Sequence, residues 1–170
     1  MKKHKFSGSI LAASILIVVQ YILAFFVYKL PGIRELQWLG WGIWLLSLAF
    51  GILPIFILRH KGGVTKGKSY VHTSKLVDTS LYAIVRHPQY LGGILFNISL
   101  MLLAQHWIIF GIGLVSMLLI YLEMVVADQE GIAKFGDDYQ RYMQIVPRAN
   151  LALGIYRYIK RRQDEAISDS

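Results

Sequence analysis

Residues 90–126 read YLGGILFNISLMLLAQHWIIFGIGLVSMLLIYLEMVV, a stretch with no lysine or arginine and a single acid, Glu123. Gln105-His106 is the one pair of adjacent polar residues in it. A helix rises 1.5 Å per residue, so about 20 apolar residues cross a hydrocarbon core of roughly 30 Å. Trp107–Val126 has that length, and Tyr90–Ala104 reaches it by tilting or by borrowing the residues before it. The pair therefore reads as an antiparallel helical hairpin closed by a tight external turn. Working towards the N-terminus, Trp38–Leu58 and Phe6–Tyr28 are two further apolar runs of spanning length. Leu30-Pro31-Gly32 breaks the first run, and Pro54 sits inside the second, where a proline removes a backbone donor and kinks the helix. Met1 to Leu16 has the basic start of a signal peptide. Its apolar run continues past the usual length without a small-residue cleavage site, so an uncleaved first helix is expected.

Composition agrees. The 170 residues are 55% hydrophobic and 16% charged, against about 45–50% and about 25% in soluble domains. Zero cysteines exclude a disulfide framework, a thiolate metal site and a cysteine nucleophile. The net charge of +8 would suit nucleic acid, but its placement follows a bilayer. Of the 18 lysines and arginines, 16 fall at the N-terminus, between the second and third spans, or in the C-terminal tail; only Lys29 and Arg34 lie on the other side. That is the positive-inside pattern, with both termini cytoplasmic in the cell membrane and Trp38, Trp41 and Trp107 at the outer interface. No nucleic-acid partner is expected. His4, His60, His72 and His106 are scattered without neighbouring acids, so no metal site is expected either.

The remaining polar segments lie on the cytoplasmic side. Arg59 to Ser80 reads as a flexible loop; its GlyGlyValThrLysGlyLys superficially resembles a phosphate loop, but it does not link a strand to a helix, so that reading is rejected. Asp128 to Met143 keeps Ile132, Phe135, Tyr139 and Tyr142 at helical spacing, an amphipathic helix with a candidate break at Gly136. After Pro147 and Asn150, Leu151 to Arg162 forms a second one, with Leu151, Ile155, Tyr158 and Ile159 on one side and basic residues around the rest. It suits the anionic inner leaflet. Gln163 to Ser170 reads as frayed. Arg86-His87-Pro88-Gln89-Tyr90 opens the third span, while Glu123, Asp128 and Glu130 mark the end of the fourth. Arg86 at a helix start is open to a structural reading as well, because arginines snorkel and proline favours the first helical turn.

The stretch from Leu76 to Gly92, LVDTSLYAIVRHPQYLG, resembles the signature of the isoprenylcysteine carboxyl methyltransferase and phospholipid methyltransferase superfamily. Phe135-Gly136-Asp137-Asp138-Tyr139, Tyr142 and Val146-Pro147-Arg148 resemble its C-terminal motif. The resemblance implies an integral membrane methyltransferase that takes S-adenosyl-L-methionine from the cytoplasm and a lipid-like acceptor from the bilayer. Carried over by position, the cofactor contacts are Ser74, Lys75, Leu76, Val77, Tyr82, Arg86, His87, Pro88, Gln89, Tyr90, Asp128 and Tyr139. Arg86 or His87 suits the cofactor's carboxylate, an acid its ammonium, and a tyrosine face its sulfonium. Arg148 either orients an anionic acceptor or contacts phospholipid headgroups. The superfamily usually carries Glu-Glu where this chain has Ala127 and Asp128, eight and seven residues before Phe135. Glu123, one turn before Ala127 and on its face, either supplies the missing carboxylate or is an interfacial acid. Ser80 and Leu81 replace the usual Gly and Pro before the first tyrosine.

The expected fold is all-α: a polytopic membrane protein with about four transmembrane helices and C-terminal cytoplasmic amphipathic helices. It forms a single membrane domain over 1–170, with a methyltransferase-like core at 74–148 and a basic amphipathic tail at 149–170. The expected activity is methyl transfer to an isoprenylcysteine-type carboxylate, a phospholipid amine or a similar amphiphile. The alternatives are a non-enzymatic membrane interaction protein of the same fold and a nicotinamide-dependent membrane reductase.

Overall fold

The computed structural model describes residues 8–28, 32–65 and 67–168. The basic residues Lys2, Lys3 and Lys5, His4, Lys66, and the expected helix break at Leu30-Pro31 lie outside these. The described residues form six α-helices and no strand: α1 (Gly8–Val27), α2 (Arg34–Lys61), α3 (Pro88–Ala104), α4 (Trp107–Phe135), α5 (Asp137–Ile145) and α6 (Leu151–Ser168). A short 3-10 turn, Ser80–Ala83, precedes α3. Helices α1, α2 and α4 are long and apolar enough to cross a bilayer, and α3 is a shorter apolar helix of 17 residues. The protein is an all-α polytopic membrane protein.

Several boundaries differ from expectation, each for a local reason. α2 begins at Arg34, before the apolar run at Trp38, and continues through Arg59, His60 and Lys61. Cations in the last turn of a helix face the partial negative charge of its end, so the hydrophilic loop starts only at Gly62. α4 does not stop at Val126 but runs to Phe135, because nothing from Ala127 to Phe135 breaks a helix more strongly than the tolerated Gly131. The break comes at Gly136, with φ +58°, and α5 opens on Asp137 and Asp138, acids at a helix N-terminus. α6 extends to Ser168 instead of fraying at Gln163. Asn150 Oδ1 caps its start by accepting the Leu153 amide at 3.0 Å, and an Arg162–Glu165 pair spans one turn near its end.

The chain divides into two compact units, Met1–Gly51 with Tyr90–Ala127, and Ile52–Gln89 with Asp128–Ser170. In the first, Ala24, Leu100, Ala104 and Ile109 are buried together, with Leu23, Val27 and Phe96 against them. Large side chains such as Phe25, Phe26, Leu45 and Leu118 are exposed, the pattern of helices whose outer faces meet lipid. The turn between α3 and α4 falls at Gln105-His106 as expected, with Gln105 at φ +46°. The Gln105 side chain ties the turn to the start of α2 by accepting from the Ile33 amide (2.9 Å) and donating to its carbonyl (2.8 Å).

In the second unit, the described residues between 62 and 79 hold no helix, but the segment is tied down. The Ser74 and Lys75 amides both donate to Gly62 O, at 2.8 and 3.1 Å. Lys61 Nζ reaches Thr79 Oγ1 (3.1 Å) and Ser80 Oγ (3.2 Å). Tyr139, Tyr142 and Val146 form a buried cluster with Leu76, Ile132, Phe135 and Met143 packed around it. The residues expected to line the apolar side of α6 divide: Ile155 and Ile159 are exposed, whereas Leu151 and Tyr158 are half-buried.

Candidate active site

In the second unit, Asp128 is the residue on which a set of ionic and polar side chains converges. It lies on α4 seven residues before Phe135, the last residue ahead of the Gly136 break, and is almost wholly buried (3% exposed). Five donors converge on its two oxygens. Arg86 donates from Nε to Oδ1 (3.1 Å) and from Nη2 to Oδ2 (3.0 Å), the two-pronged pairing that a planar guanidinium makes with a carboxylate. His87 Nε2 lies 2.8 Å from Oδ1, the Tyr139 hydroxyl donates to Oδ1 at 3.0 Å, and Arg148 Nε donates to Oδ2 at 2.7 Å. A carboxylate offers about four lone-pair sites, so its acceptor capacity is filled.

The segments that supply these donors are fastened by backbone bonds. The Arg86 and His87 amides donate to the carbonyls of Pro147 and Arg148, at 3.0 and 3.2 Å. Arg86 Nη1 adds bonds to Met143 O (2.9 Å) and Val146 O (2.5 Å). Arg86 thus spans the α5 end, the 146–148 strip and Asp128 at once. A lysine, with one point charge, could not do so. Tyr142 donates its hydroxyl to Tyr82 O at 2.6 Å, tying α5 to the 3-10 turn. Tyr139 stacks on Phe135 (centroids 6.5 Å apart, 17° between planes) and meets Tyr142 edge-on (5.7 Å, 68°).

Burial, reinforced by the Asp128 charge, pushes the Tyr139 hydroxyl well above the ordinary phenol range. Burial does the same to Tyr142 and Tyr82, helped by neighbouring tyrosines. All three keep their protons at neutral pH and are not bases; Tyr139 and Tyr142 use them as donors. Within the Arg86–His87–Asp128–Arg148 set, Arg148 is the most accessible side chain, 27% exposed against 7% for Arg86 and 9% for His87.

Arg86, His87, Asp128, Tyr139 and Arg148, all named from the sequence, meet in this one cluster. Tyr82 is held to it through Tyr142, and Pro88 is fully buried beside His87. Gln89 and Tyr90 are half-buried at the start of α3. Ser74 and Lys75 belong instead to the Gly62 turn, and the Ser74 hydroxyl bonds Gly63 O at 2.8 Å. Leu76 packs against the tyrosine cluster, and Val77 is buried. Glu123 is in the first unit, where it accepts the Ser9 hydroxyl. Tyr142 is not among the contacts expected from the sequence; its place one turn after Tyr139 is the signal that points to it. Among the described residues no group of three or more His, Cys, Asp or Glu could hold a metal ion.

The family model for phospholipid methyltransferases matches residues 36–134, more than half of the chain, and takes in Arg86, His87 and Asp128. The chain belongs to the phospholipid methyltransferase family. No curated protein and no solved structure matches it. The family match ends before α5, so Tyr139, Tyr142 and Arg148 enter the site on the geometry above. In this family member the ionic cluster joins the matched region to the helix after it.

Proposed function

We propose that this phospholipid methyltransferase family member transfers a methyl group from S-adenosyl-L-methionine to a lipid or a membrane-embedded amphiphile. The observation that carries the reading is the convergence of Arg86, His87, Tyr139 and Arg148 on buried Asp128 within a chain of this family. The cofactor enters from the cytoplasm and the acceptor from the bilayer of the cell membrane, with both termini cytoplasmic. α6 lies along the inner leaflet, its exposed Ile155, Tyr156 and Ile159 turned to the interface.

The donor set fits one pole of the cofactor well. Arg148, anchored at Nε and partly exposed, offers a cation for a carboxylate, and His87 stands beside it on the same aspartate. The ammonium pole needs another acid, because the oxygens of Asp128 are occupied within the cluster. Asp128 is therefore a positioning residue that sets Arg86, His87 and Arg148 at fixed spacing, and Arg86 holds the backbone that carries them. When bound, the cofactor supplies a methyl group already activated on a sulfonium, so the chain's part is orientation and exclusion of water. Val85, Pro88 and Val146, all buried, keep the cluster dry and strengthen its charges. Tyr139 keeps its proton and holds Asp128; it does not deprotonate an acceptor. A carboxylate acceptor needs no base, whereas an amine must lose a proton first.

Calorimetric titration of the detergent-purified chain with S-adenosylhomocysteine tests this reading. Saturable binding is expected, weakened about tenfold or more in Arg148→Ala, the loss of one charge-assisted contact. Response to a reduced nicotinamide nucleotide but not to S-adenosylhomocysteine would point to a reductase; response to neither would favour an interaction protein. A direct role for Glu123 predicts weaker binding in Glu123→Gln with little change in Ser9→Ala.

A further inference from the structure

The family match ends at residue 134 and the C-terminal motif at Arg148, yet α6 beyond them touches both segments that frame the cluster. Gly154 is buried on its inner face, and a methyl there would overlap the Ile84 carbonyl oxygen and lie 3.1 Å from Ile84 Cγ2. The helix therefore approaches the backbone of the Tyr82–His87 segment as closely as a helix can, and only glycine permits it. Two turns further on, and on the same face, Arg161 donates from Nη2 to Ala83 O at 2.8 Å and from Nη1 to Ile145 O at 3.2 Å.

Those two carbonyls are not ordinary. Ala83 is the last residue of the 3-10 turn and Ile145 the last of α5. Carbonyls at helix ends lack partners within their own helix, and cations there are favoured. One guanidinium thus caps two helix ends. Ala83 stands between Tyr82 and Arg86, and Ile145 immediately precedes Val146, whose carbonyl takes Arg86 Nη1. Arg157, on the same face of α6, reaches only the α5 end, with Nη1 3.3 Å from Gln144 O and 3.5 Å from Ile145 O.

We infer that Arg161, seated by Gly154, is a positioning residue for the transfer site. It fixes the Tyr82–His87 segment against the end of α5 and so sets the spacing of Arg86, His87 and Arg148. This rests on the reading of the cluster as the methyl-transfer site. Arg157 supplies an internal control, since it has the same charge, helix and face but no bond to the 82–87 segment.

The test is the affinity of the full-length, detergent-purified protein for S-adenosylhomocysteine in wild type, Arg161→Ala, Arg161→Lys, Arg157→Ala and Gly154→Ala. Each melting temperature is measured without ligand alongside. Arg161→Ala and Gly154→Ala should weaken binding about tenfold, in line with loss of hydrogen bonds to a charged group. Arg157→Ala should stay within about threefold. Arg161→Lys should fall between, because an ammonium cannot bridge both carbonyls as a fork does. Equal affinity loss in the two alanine variants of Arg157 and Arg161, or unchanged affinity in Arg161→Ala while wild type binds, would overturn the inference. So would losses that merely track the melting temperatures. Failure of the wild type to bind removes the transfer-site reading first, and this inference with it.

Discussion

Asp128 carries two oxygens, and two guanidiniums, an imidazole and a phenol all lean on them. Replacing it with asparagine keeps the shape but leaves Arg86, which is buried, without its countercharge. Breaking a buried pair in this way costs about 3–5 kcal/mol, so Asp128→Asn should lower the thermal midpoint by many degrees and abolish ligand binding. Unchanged melting would mean that the cluster is not what holds the second unit together. Ser80 shows the opposite situation. It sits at φ +58°, the left-handed region that costs an ordinary L-residue about 1–2 kcal/mol, at the position where the superfamily usually has glycine. Ser80→Gly should stabilise by up to about 1 kcal/mol, less whatever the Lys61 bond to its hydroxyl contributes; a lowered midpoint in thermal denaturation would contradict this. The cluster's members could be named from the sequence because they stand at positions that resemble the superfamily's motifs, among polar residues gathered on the cytoplasmic side. Their mutual bonding could not. Arg86 and Asp128 are 42 positions apart, and spacing of that kind does not say which donor meets which acceptor.

At the level of elements, the long apolar runs and the Gln105-His106 turn were legible because a bilayer demands length and apolarity from every spanning helix. Their ends were less so. α4 continues to Phe135 because a helix ends where a residue breaks it, here Gly136, and not where its apolar character fades. Within it, Gly131 lies directly under the Tyr139 ring, and an added methyl would overlap the ring carbons. Gly131→Ala should therefore displace Tyr139 from Asp128 and weaken S-adenosylhomocysteine binding, although alanine favours the helix itself by about 1 kcal/mol. A more stable, equally tight-binding variant would show that the ring has room to move. α5 also predicts an alkaline signature. The Tyr142 hydroxyl is raised by burial, so folding favours its neutral form. The stabilisation is complete below the ordinary phenol value of about 10 and is lost only as pH climbs towards the higher folded value. Tyrosinate absorbance up to about pH 11 should accordingly be the same in wild type and Tyr142→Phe; a smaller amplitude in the variant would show that Tyr142 titrates normally.

For the molecule as a whole, the distribution of lysine and arginine predicts an orientation with both termini cytoplasmic. The absence of native cysteines makes orientation easy to read. In sealed right-side-out vesicles, a cysteine at His106 should react with an impermeant maleimide, whereas one at Ser69 should not until the membrane is opened. Reversed labelling would invert the topology and with it the direction from which the cofactor arrives. The central claim is methyl transfer at the Asp128 cluster to an acceptor held in the bilayer. Its most direct test is a proteoliposome assay with methyl-labelled S-adenosyl-L-methionine, phosphatidylethanolamine and an isoprenylated-cysteine amphiphile, scored by label in the extracted lipid phase. Label should accumulate with time and protein amount and fall to background in His87→Ala and Arg148→Ala variants that still melt cooperatively. Equal incorporation in those two variants, or none from folded wild type with either acceptor, would contradict the account.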